Sequence, residues 1–505
     1  MKYIFNEETN YSIEDRILKI NNLTREDIDV SSFNVDYNLE ILSKFRNKII
    51  ESKNNKFLIV GDYDCDGICA TAIIKRLLDK LNIKNNFYIP SRSKEGYGIN
   101  NMIVDNAKNN DFDCIICVDN GIIAYEQLSL AKSYGIKTFV IDHHEYQELP
   151  NCDALLHPNL FPKKYSDMCA GGLCSLLANS FEYDEINTVY GGLATLADMV
   201  SVLNYNRYLI KEMLNVLSNT RIEPIYLMLN NNEISCKSLQ FNVIPKINAV
   251  SRLEELMNVN YVVKFLLSNG RDSLAYYDKI EIINNARKNY SKDMYEYAIK
   301  DIDDSSKIII LKSTEYKEGL CGILANRIME NYHKPTIVLS QNDKLLKGSG
   351  RSIPGCNLYE YLRNIETLFD SYGGHEFAVG LTIKSSKYDE FISYIQNNDL
   401  IYEEVYKDVI VLDNDDITFD FFERISSLAP FGTLFKEPLF AIKSSDCRHR
   451  YVIKGKYPKF DINDSLTAIS FNSNHLNKEF KYMIGRIQKD NYSHNSLSFV
   501  IEDLV

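Results

Sequence analysis

Short apolar runs alternate with helical patterns along the first third of the chain. Four short segments are predicted to be strands, namely residues 56–61, 84–90, 113–118 and 137–141, and the apolar run 56–61 is predicted to be buried. Apolar residues at helical spacing between these runs, as in Ile68–Leu81 and in the stretch that ends near Tyr134, predict intervening helices. Alternating strands and helices predict a parallel sheet covered on both faces, which binds ligands beyond the carboxyl ends of its strands.

The pattern of apolar positions changes twice further along the chain. Residues 254–300 are helical in pattern and contain no proline, which predicts one or two long linking helices. A second α/β unit begins with Lys307–Leu311 and ends near Ile383, and short strands separated by turns follow after about Ile401. The predicted fold class is therefore α/β with a C-terminal β-barrel or sandwich, divided into residues 1–253, 254–300, 301–398 and 399–505.

Composition narrows the function classes only a little. The 505 residues carry a formal net charge of −12 and are 45% hydrophobic, which is enough for several folded cores. A negative charge is unusual for a nucleic-acid-binding protein, yet carboxylates that hold divalent cations inflate the formal count, so nucleic acid is not excluded. The eleven cysteines are predicted to be reduced thiols of a cytoplasmic protein, and Cys114 and Cys117 to fill a strand rather than bind zinc. No apolar run approaches the roughly 20 residues of a membrane-spanning helix.

The segment Asp62–Gly67 (DYDCDG) places three carboxylates in a turn between a predicted strand and a predicted helix. Such crowded like charge is costly to bury unless a cation neutralises it, and oxygen ligands of this kind suit Mg²⁺ or Mn²⁺. A solvated acidic turn or a helix cap is the simpler alternative for this motif taken alone.

Three further polar clusters follow later in the chain, namely VDNG at 118–121, DHHE at 142–145 and LADM at 196–199. Each has a simple structural interpretation by itself, as a turn aspartate, a surface histidine pair or a capping aspartate. Because the clusters fall where a parallel sheet opens its ligand cleft, we expect them to converge on one site. The metal ligands predicted from these motifs are Asp64, Asp66, Asp119, His143 and Asp198. Such a set suits two divalent ions, which can activate water and stabilise the charges of a phosphodiester.

The four motifs, in this order, resemble those of the DHH phosphoesterases. The downstream chain is similar to RecJ-like exonucleases in particular. The segments that carry this similarity are Pro245–Leu253, Gly319–Ile323, Gly348–Gly355, Gly373–His375, Pro430–Pro438 and Ser496–Leu504. The resemblance implies a DHH domain in 1–253, a helical linker in 254–300, a DHHA1 domain in 301–398 and an OB-fold domain in 399–505.

The resemblance also implies roles for individual residues. The five metal ligands named above would have Asp62 and His144 as close partners, with His144 facing the scissile phosphate. The residues implied to bind the 5′ phosphate or the DNA strand are Arg92, Ser349, Arg351, Asn248 and Arg252. The run Gly348–Ser352 (GSGRS) is expected to offer backbone N–H groups to an anion. His375 is expected in the cleft between the two α/β domains, where it would donate to a phosphate oxygen.

The chain departs from the family pattern at several positions. Val60 stands where many DHH proteins have a histidine, which removes one imidazole and puts the occupancy of one metal site in question. Ser251 replaces a common glycine, and Lys317 replaces a histidine. Thr433–Phe435 replaces a usual glycine–asparagine pattern. These departures indicate a divergent relative.

The implied activity is hydrolysis of single-stranded DNA from its 5′ end to 5′ mononucleotides, with Mn²⁺ or Mg²⁺, in DNA repair or recombination. The implied partners are single-stranded DNA and a helicase or single-strand-binding protein. The protein itself is expected to be a monomer and not to associate with membranes. A basic and aromatic stretch, Arg448–Tyr457, is either a strand-binding surface or a solvated edge. Two alternatives stay open: a DHH-type phosphodiesterase of short oligonucleotides or cyclic dinucleotides, and a catalytically silent DNA-binding scaffold.

Overall fold

The N-terminal segment forms one strand and two short helices. These elements are β1 (Lys2–Asn6), α1 (Ile13–Ile20) and α2 (Arg25–Ile28). The computed structural model describes residues 2–8, 10–342, 344–464, 466–490 and 496–505. Within these ranges no helix has both the length and the apolar character needed to cross a membrane.

A five-stranded sheet follows, with helices between its strands. The elements are α3 (Glu40–Glu51), β2 (Phe57–Val60), α4 (Cys65–Lys80), β3 (Asn85–Tyr88), α5 (Asn101–Asn109), β4 (Cys114–Val118), α6 (Tyr125–Ser133), β5 (Lys137–Ile141) and β6 (Ala154–Leu156). The strand order is β3-β2-β4-β5-β6, and every pairing is parallel. Strands β2 and β4 are fully buried, which is why their apolar runs are continuous. The predicted parallel sheet is confirmed, and Cys114 and Cys117 are buried strand residues of β4.

Helices dominate the next part of the chain. They are α7 (Ala170–Phe181), α8 (Glu185–Ala197), α9 (Asn204–Asn219), α10 (Glu223–Leu229), α11 (Cys236–Ser238), α12 (Ile244–Arg252), α13 (Asn260–Leu266) and α14 (Gly270–Ala298). A π-helical turn, Leu239–Val243, leads directly into α12. Helices α13 and α14 account for the helical pattern predicted between residues 254 and 300.

The second α/β part contains a mixed five-stranded sheet. Its elements are β7 (Ile309–Ser313), α15 (Cys321–Tyr332), β8 (Thr336–Gln341), β9 (Leu345–Arg351), α16 (Leu358–Arg363), β10 (Phe369–His375), β11 (Ala378–Lys384) and α17 (Tyr388–Asn397). The strand order is β10-β11-β9-β8-β7, and only β7 and β8 pair in parallel. One side of the sheet packs on a core that includes Leu346, Leu362 and Phe391.

Residues 348–351 of the run GSGRS belong to strand β9 and not to an anion-binding loop, and the N–H of Ser352, just after the strand, donates to the carbonyl of Phe377 (2.9 Å). Gly350 pairs with Ile337 of β8 on one side and with Val379 of β11 on the other. Because β9 lies inside the sheet, its backbone N–H groups are used in the two ladders and are not free to bind an anion. The expectation that this run offers backbone N–H groups to a phosphate is therefore wrong, although its side chains remain candidates.

The C-terminal part is rich in strands, as predicted. Its elements are β12 (Tyr406–Val411), α18 (Phe419–Ser427), β13 (Phe440–Lys443), β14 (His449–Ile453), β15 (Tyr457–Asp461), β16 (Leu466–Ser470), β17 (Tyr482–Lys489) and β18 (Leu497–Leu504). The sheet order is β1-β12-β13-β17-β18-β16-β15-β14. Between the residues that the structure describes, no ladder joins β1 to β14, so hydrogen bonds do not close this sheet into a barrel.

Distant parts of the chain combine into two compact units. One contains Met1–Asn34, Met199–Tyr208 and Glu404–Val505, and the other contains Val35–Asp198 and Leu209–Glu403. The parallel pairing of β1 with β12 joins the N-terminal strand to the C-terminal sheet. The structure thus groups the N-terminal extension differently from the predicted partition, which included it in residues 1–253. Local apolar patterns carry no information on such a distant pairing.

Candidate metal centre

The acidic turn Asp62–Gly67 connects β2 to α4. Asp64 is the N-cap residue of α4, and its Oδ1 accepts hydrogen bonds from the N–H groups of Asp66 (2.9 Å) and Gly67 (3.2 Å). A side-chain cap of this kind stabilises the first helical turn. The helix-cap alternative and the metal-ligand prediction are compatible, because the cap engages Oδ1 and a carboxylate has a second oxygen to offer a cation.

Asp66 is buried and is oriented by helix α7. Its Oδ2 accepts a hydrogen bond from the N–H of Ala170 (2.9 Å), and its Oδ1 accepts one from the N–H of Gly171 (2.6 Å). Both donors belong to the first turn of α7, where the helix dipole favours negative charge. The helix therefore holds this carboxylate in place and compensates part of its charge.

Asp119 directly follows β4 and has a left-handed backbone conformation, with φ of 61°. Its N–H donates to the carbonyl of Ile141 (2.9 Å), and its own carbonyl accepts a hydrogen bond from the Tyr97 hydroxyl (2.6 Å). A non-glycine residue in this region costs about 1–3 kcal/mol and persists only where the surroundings hold it. Such strain is concentrated at functional sites.

The DHH motif follows β5 and is organised by Asp142. Oδ2 of Asp142 accepts a hydrogen bond from the N–H of Ile122 (2.9 Å), and Oδ1 lies 2.7 Å from Nδ1 of His144. Burial raises the pKa of Asp142, but the hydrogen bond and the charge of His144 outweigh burial and hold this pKa below its usual value. Burial lowers the pKa of His144, but the hydrogen bond to Asp142 and the charges of Asp142, Asp198 and Asp66 together outweigh burial and raise the pKa to about 9. Asp142 therefore positions His144.

The imidazole of His143 lies among the carboxylates. Its Nε2 is 3.2 Å from Oδ1 of Asp119 and 3.7 Å from Oδ2 of Asp66, and its Nδ1 is 3.7 Å from Oδ2 of Asp198. Three overlapping groups have ligand atoms within 4.8 Å of one another: Asp62, Asp64 and Asp119; Asp66, His143 and Asp198; and Asp119, His143 and His144. The structure thus brings together all five predicted metal ligands, with Asp62 and His144 beside them.

This convergence is electrostatically costly without a cation. Burial raises the pKa values of Asp62, Asp64 and Asp119 above the usual range, and neighbouring carboxylates raise them further. Burial, followed by the charge of Asp66, raises the pKa of Asp198 to about 8. Oδ1 of Asp62 and Oδ1 of Asp119 are buried, and neither has a hydrogen-bond partner in the described part of the chain. Buried carboxylate oxygens without a donor are what a hard cation requires as ligands.

The donor set fits divalent cations. Carboxylate oxygens suit Mg²⁺, and carboxylate oxygens combined with imidazole nitrogen suit Mn²⁺. Because the three donor groups overlap and share Asp119 and His143, they suit two ions held close together.

A cavity of about 400 Å³ is lined by most of these residues and by two arginines, Arg92 and Arg252. The guanidinium of Arg92 lies over the ring of Tyr63, 5.1 Å from its centroid. Burial lowers the pKa of Arg252 to about 10, and the charges of Arg92, Arg287 and Arg351 add to the effect. Among the described residues, none of these four arginines forms an ion pair. Crowded arginines that form no ion pair indicate a site for an anion.

Helix α12 presents two of the predicted DNA-binding residues to the same cavity. Asn248 and Arg252 are four residues apart and share one face of the helix. Oδ1 of Asn248 is buried without a hydrogen-bond partner among the described residues, so it is free to accept one from a ligand. Ser251, which replaces a common glycine of the family, also lines the cavity and donates to the carbonyl of Asn248 (3.2 Å).

Ser349 and Arg351 lie against the start of α15. A Cβ atom added to Gly322 would lie 2.9 Å from Nη2 of Arg351 and 3.5 Å from Oγ of Ser349. Arg252 approaches the same turn, with Nη1 3.5 Å from the carbonyl of Gly319. The structure therefore gathers three of the five predicted phosphate- or DNA-binding side chains, those of Ser349, Arg351 and Arg252, around one turn, residues 319–322.

The structure does not bring His375 to the carboxylates. His375 is exposed at the end of the edge strand β10, and its Nδ1 accepts a weak hydrogen bond from the N–H of Phe377 (3.4 Å). No residue of β10 lines the cavity described above. In the tight turn between β10 and β11 this imidazole contacts the backbone N–H of Phe377. The structure therefore does not support its predicted place in the cleft.

Val60 belongs to the hydrophobic core. Its buried side chain packs in a cluster that includes Ile99, Ile103 and Ile115, and its carbonyl accepts a hydrogen bond from Nδ2 of Asn120 (3.0 Å). The side chain of Val60 therefore packs in this core and offers no ligand to the three groups described above.

Sequence reasoning missed several residues that support the site. Tyr97 contacts both Asp119 and His144, and Nε2 of His157 donates to the carbonyl of His144 (3.0 Å). Asp142 stood within a motif but received no role. The available signal was the pair of glycines that flanks Tyr97, since glycines on both sides of an aromatic residue indicate a tightly specified loop.

Three family models match the chain, in the order predicted. They are the DHH family N-terminal domain at residues 56–200, the DHHA1 domain at residues 305–398 and the RecJ OB domain at residues 410–503. The single-stranded-DNA-specific exonuclease RecJ of Bacillus subtilis (strain 168) is 29% identical over 418 residues, which cover 78% of this chain and 52% of that protein. The chain therefore spans about half the length of this relative.

Two solved structures have a similar fold. RecJ from Thermus thermophilus, in complex with Mn²⁺, has a TM-score of 0.85 at 21% identity and covers 100% of this chain and 79% of its own. An exonuclease RecJ bound to manganese has a TM-score of 0.62 at 26% identity and covers 71% of this chain and 94% of its own. The three domains in one order, together with this fold, confirm the predicted resemblance. This chain therefore carries a DHH N-terminal domain, a DHHA1 domain and a RecJ OB domain, and it resembles the RecJ-like DHH phosphoesterases.

Proposed function

We propose that the protein is a metal-dependent exonuclease that hydrolyses single-stranded DNA from its 5′ end and releases 5′ mononucleotides. The observation that carries this proposal is one cavity that combines a carboxylate–imidazole cluster with arginines that form no ion pair among the described residues. Exonucleolytic cleavage needs both parts, because cation ligands must surround the reacting phosphodiester and cationic groups must bind a neighbouring phosphate. The activity named for the RecJ relatives supports the same reaction here.

The residues that would hold Mn²⁺ or Mg²⁺ are Asp62, Asp64, Asp66, Asp119, His143 and Asp198. RecJ crystal structures that contain manganese support this choice of cation. When bound, the ions supply water activation and charge stabilisation at the phosphodiester. The chain itself supplies orientation: helix α7 fixes Asp66, and a strained but hydrogen-bonded backbone fixes Asp119.

The arginines would set the polarity of cleavage. Arg92 and Arg252 line the cavity that contains the carboxylates, and Arg351 and Ser349 lie at the neighbouring turn. A terminal 5′ phosphate bound by these side chains would leave the next phosphodiester at the carboxylates. Cleavage there releases one nucleotide with its 5′ phosphate, and the shortened strand presents a new 5′ phosphate for the next cycle.

His144 would contact the scissile phosphate. Because ionised Asp142 can only accept, Nδ1 of His144 carries the hydrogen of their 2.7 Å contact. Nε2, which lies 3.3 Å from the Tyr97 hydroxyl oxygen, can also donate to a phosphate oxygen when the ring is doubly protonated, a form that Asp142 favours.

The C-terminal sheet would also bind single-stranded DNA. Its hairpin β14–β15 carries the basic and aromatic stretch, in which Tyr451 is exposed. Arg448 is paired with Asp464 (2.6 Å), so the nearby Lys454 and Lys456 would supply the charge for phosphates. Exposed tyrosine rings next to lysines suit the stacking of unpaired bases.

The test uses single-stranded DNA labelled at its 3′ end, incubated with the protein and Mn²⁺ or Mg²⁺. We expect the labelled strand to shorten progressively from its 5′ end, and a blunt duplex and an RNA strand are run in parallel. Asp119→Ala removes a predicted ligand, whereas Glu126→Ala removes an exposed carboxylate of α6 outside the cavity. Activity should be lost in the first variant and kept in the second.

Three outcomes would contradict the proposal. Immediate release of the 3′ label would show the opposite polarity. Cleavage of a dinucleotide with every polymer intact would indicate a phosphodiesterase of short oligonucleotides. Absence of both cleavage and Mn²⁺ binding would indicate a catalytically silent scaffold.

We further propose that the protein acts in the cytoplasm as a monomer, in DNA repair or recombination, with a helicase or a single-strand-binding protein. All eleven cysteines are free thiols, which supports a reducing compartment. Sedimentation of the purified protein tests the monomer, and co-sedimentation with a purified single-strand-binding protein tests the partner.

A further inference from the structure

Tyr97 contacts two different residues of the metal centre. We infer that Tyr97 is a positioning residue, whose hydroxyl holds the backbone of Asp119 and the ring of His144 in the geometry that the site requires. The inference rests on the proposed function, since it concerns the organisation of the same site. It adds a residue to which the sequence motifs give no role.

The first contact fixes a strained ligand residue. The Tyr97 hydroxyl donates to the carbonyl of Asp119 at 2.6 Å, and Asp119 is the residue whose φ is 61°. Without this bond, the peptide could relax towards a commoner backbone conformation. The side-chain carboxylate of Asp119 would then move away from the other ligands.

The second contact restricts the imidazole of His144. The same hydroxyl oxygen lies 3.2 Å from Nδ1 and 3.3 Å from Nε2, and the two rings meet edge-on with centroids 5.5 Å apart. Because the hydroxyl hydrogen is donated to Asp119, the oxygen presents a lone pair to the imidazole. Asp142 and Tyr97 thus contact the ring of His144 at two places and limit its rotation.

The loop that carries Tyr97 is specified by its sequence. Gly98 has φ of 67°, and a Cβ atom there would lie 2.9 Å from Cβ of Asn120. The N–H of Ile99 donates to Oδ1 of Asn120 (3.2 Å), the residue that directly follows Asp119. The loop is therefore fastened beside the ligand that its tyrosine contacts, so Tyr97 and Asp119 are placed as a pair.

The experiment removes only the hydroxyl, in Tyr97→Phe. The matched control is Tyr125→Phe, because the Tyr125 hydroxyl also donates to a backbone carbonyl, that of Glu148 (2.9 Å), but lies outside the cavity. Mn²⁺ binding is measured by calorimetric titration, and kcat and KM are measured on single-stranded DNA. The unfolding midpoint of each metal-free protein checks that the fold is intact.

We expect Tyr97→Phe to lower Mn²⁺ affinity about tenfold and kcat by about 10–100-fold, as is usual when a group that orients ligands is removed. KM should stay within about twofold of the wild type, because the hydroxyl holds ligands and not the strand. Tyr125→Phe should match the wild type in all three quantities.

Two results would overturn the inference. One is a Tyr97→Phe protein whose Mn²⁺ affinity equals that of Tyr125→Phe. The other is a rise in KM with kcat unchanged, which would make Tyr97 a substrate contact. A wild-type protein that degrades no DNA would refute the proposed function instead, and the Mn²⁺ titration would still decide the role of Tyr97.

Discussion

Asp119 shows how a single residue of this site works against the stability of the metal-free fold. Its carboxylate is buried beside Asp66, Asp64 and Asp62, and burial followed by these charges raises its pKa well above the usual value. A carboxyl group with a raised pKa in the folded state stabilises that state at low pH. The stabilisation is lost as the pH rises above the unfolded pKa of about 4 towards the folded value. A bound cation removes this cost.

The exchange Asp119→Asn should therefore separate stability from function. Without metal at pH 8, we expect the variant to unfold at a temperature about 2 °C higher than the wild type, because one buried charge is removed. This shift corresponds to an increase of about 1 kcal/mol in the free energy of unfolding. The increase should shrink as the pH is lowered towards 5. Added Mn²⁺ should raise the midpoint of the wild type and leave the variant nearly unchanged. Scanning calorimetry with chelator or Mn²⁺ measures both effects.

Glu126→Gln serves as the control, because Glu126 is exposed on α6. A metal-free Asp119→Asn protein that is less stable than this control, yet still responds to Mn²⁺, would contradict the account of buried charge.

Arg252 should determine how strongly the protein prefers a 5′ phosphate. Its guanidinium lies among other arginines, forms no ion pair in the described residues and makes only a long contact with the carbonyl of Gly319 (3.5 Å), so a phosphate gains a charge-assisted bond. We expect Arg252→Gln to lower kcat/KM on 5′-phosphorylated strands by about 30–100-fold. This corresponds to a loss of about 2–3 kcal/mol in transition-state binding. The loss on 5′-hydroxyl strands should be smaller. Comparing the two substrates measures the preference.

Arg363→Gln is the matched control, because Arg363 is exposed on α16 and bonded to Glu360. If Arg252→Gln lowers kcat/KM equally on both substrates, Arg252 does not recognise the 5′ phosphate.

At the scale of elements, strand β9 explains the glycines that the family resemblance linked to phosphate. A Cβ atom on Gly348 would lie 1.9 Å from the carbonyl oxygen of Val338, across the ladder to β8. The glycine therefore permits close approach of two strands. Ser349 and Arg351 then project from a rigid strand, which is a more precise support for a binding group than a loop.

Gly348→Ala should destabilise this sheet by about 2 kcal/mol, because the added methyl group forces two backbones apart. Gly373→Ala on the edge strand β10 is the control, since an added Cβ atom there meets nothing within 4 Å. Urea unfolding of both variants tests the expectation. Equal free energies of unfolding for the two variants would show that β8 and β9 accommodate the added methyl group without loss of stability.

At the scale of the whole molecule, one buried arginine joins segments from distant parts of the chain. Arg207 is fully buried, and its guanidinium donates to the carbonyls of Ile28 (2.7 Å), Pro430 (2.9 Å) and Ala429 (3.2 Å). It also lies over the ring of Phe435, 5.5 Å from the centroid. The N-terminal segment, residues 199–208 and the C-terminal part thus share one buried polar centre.

Arg207→Met should destabilise the unit that contains the C-terminal sheet by about 3 kcal/mol or more, because several buried carbonyls lose their donor. Limited proteolysis should cut this unit at lower urea concentrations than in the wild type. The control is Arg221→Met, whose arginine is exposed and packs on Tyr226, and its effect should stay within about 0.5 kcal/mol. An Arg207→Met protein as resistant as the control would contradict this role.

The sequence alone was sufficient to predict the main strands of the first sheet and the candidate metal ligands. Strands β2, β4 and β5 are continuous apolar runs, and each is followed directly by a polar motif. Because parallel strands end at one edge of a sheet, the convergence of Asp64, Asp119 and His143 could be expected from the motifs alone. Periodicity and turn residues act over a few positions, so they can be read from a single sequence.

Contacts between distant segments decided the rest. The pairing of β1 with β12, the inclusion of GSGRS in a sheet and the exposed position of His375 all depend on partners far away in the chain. The contacts of Tyr97 with Asp119 and His144 likewise exist only in the folded chain. The sequence by itself determined which residues could bind a metal, because that is a property of side-chain chemistry. Only the tertiary structure decided which groups orient those ligands, because orientation depends on packing between elements that local sequence does not encode.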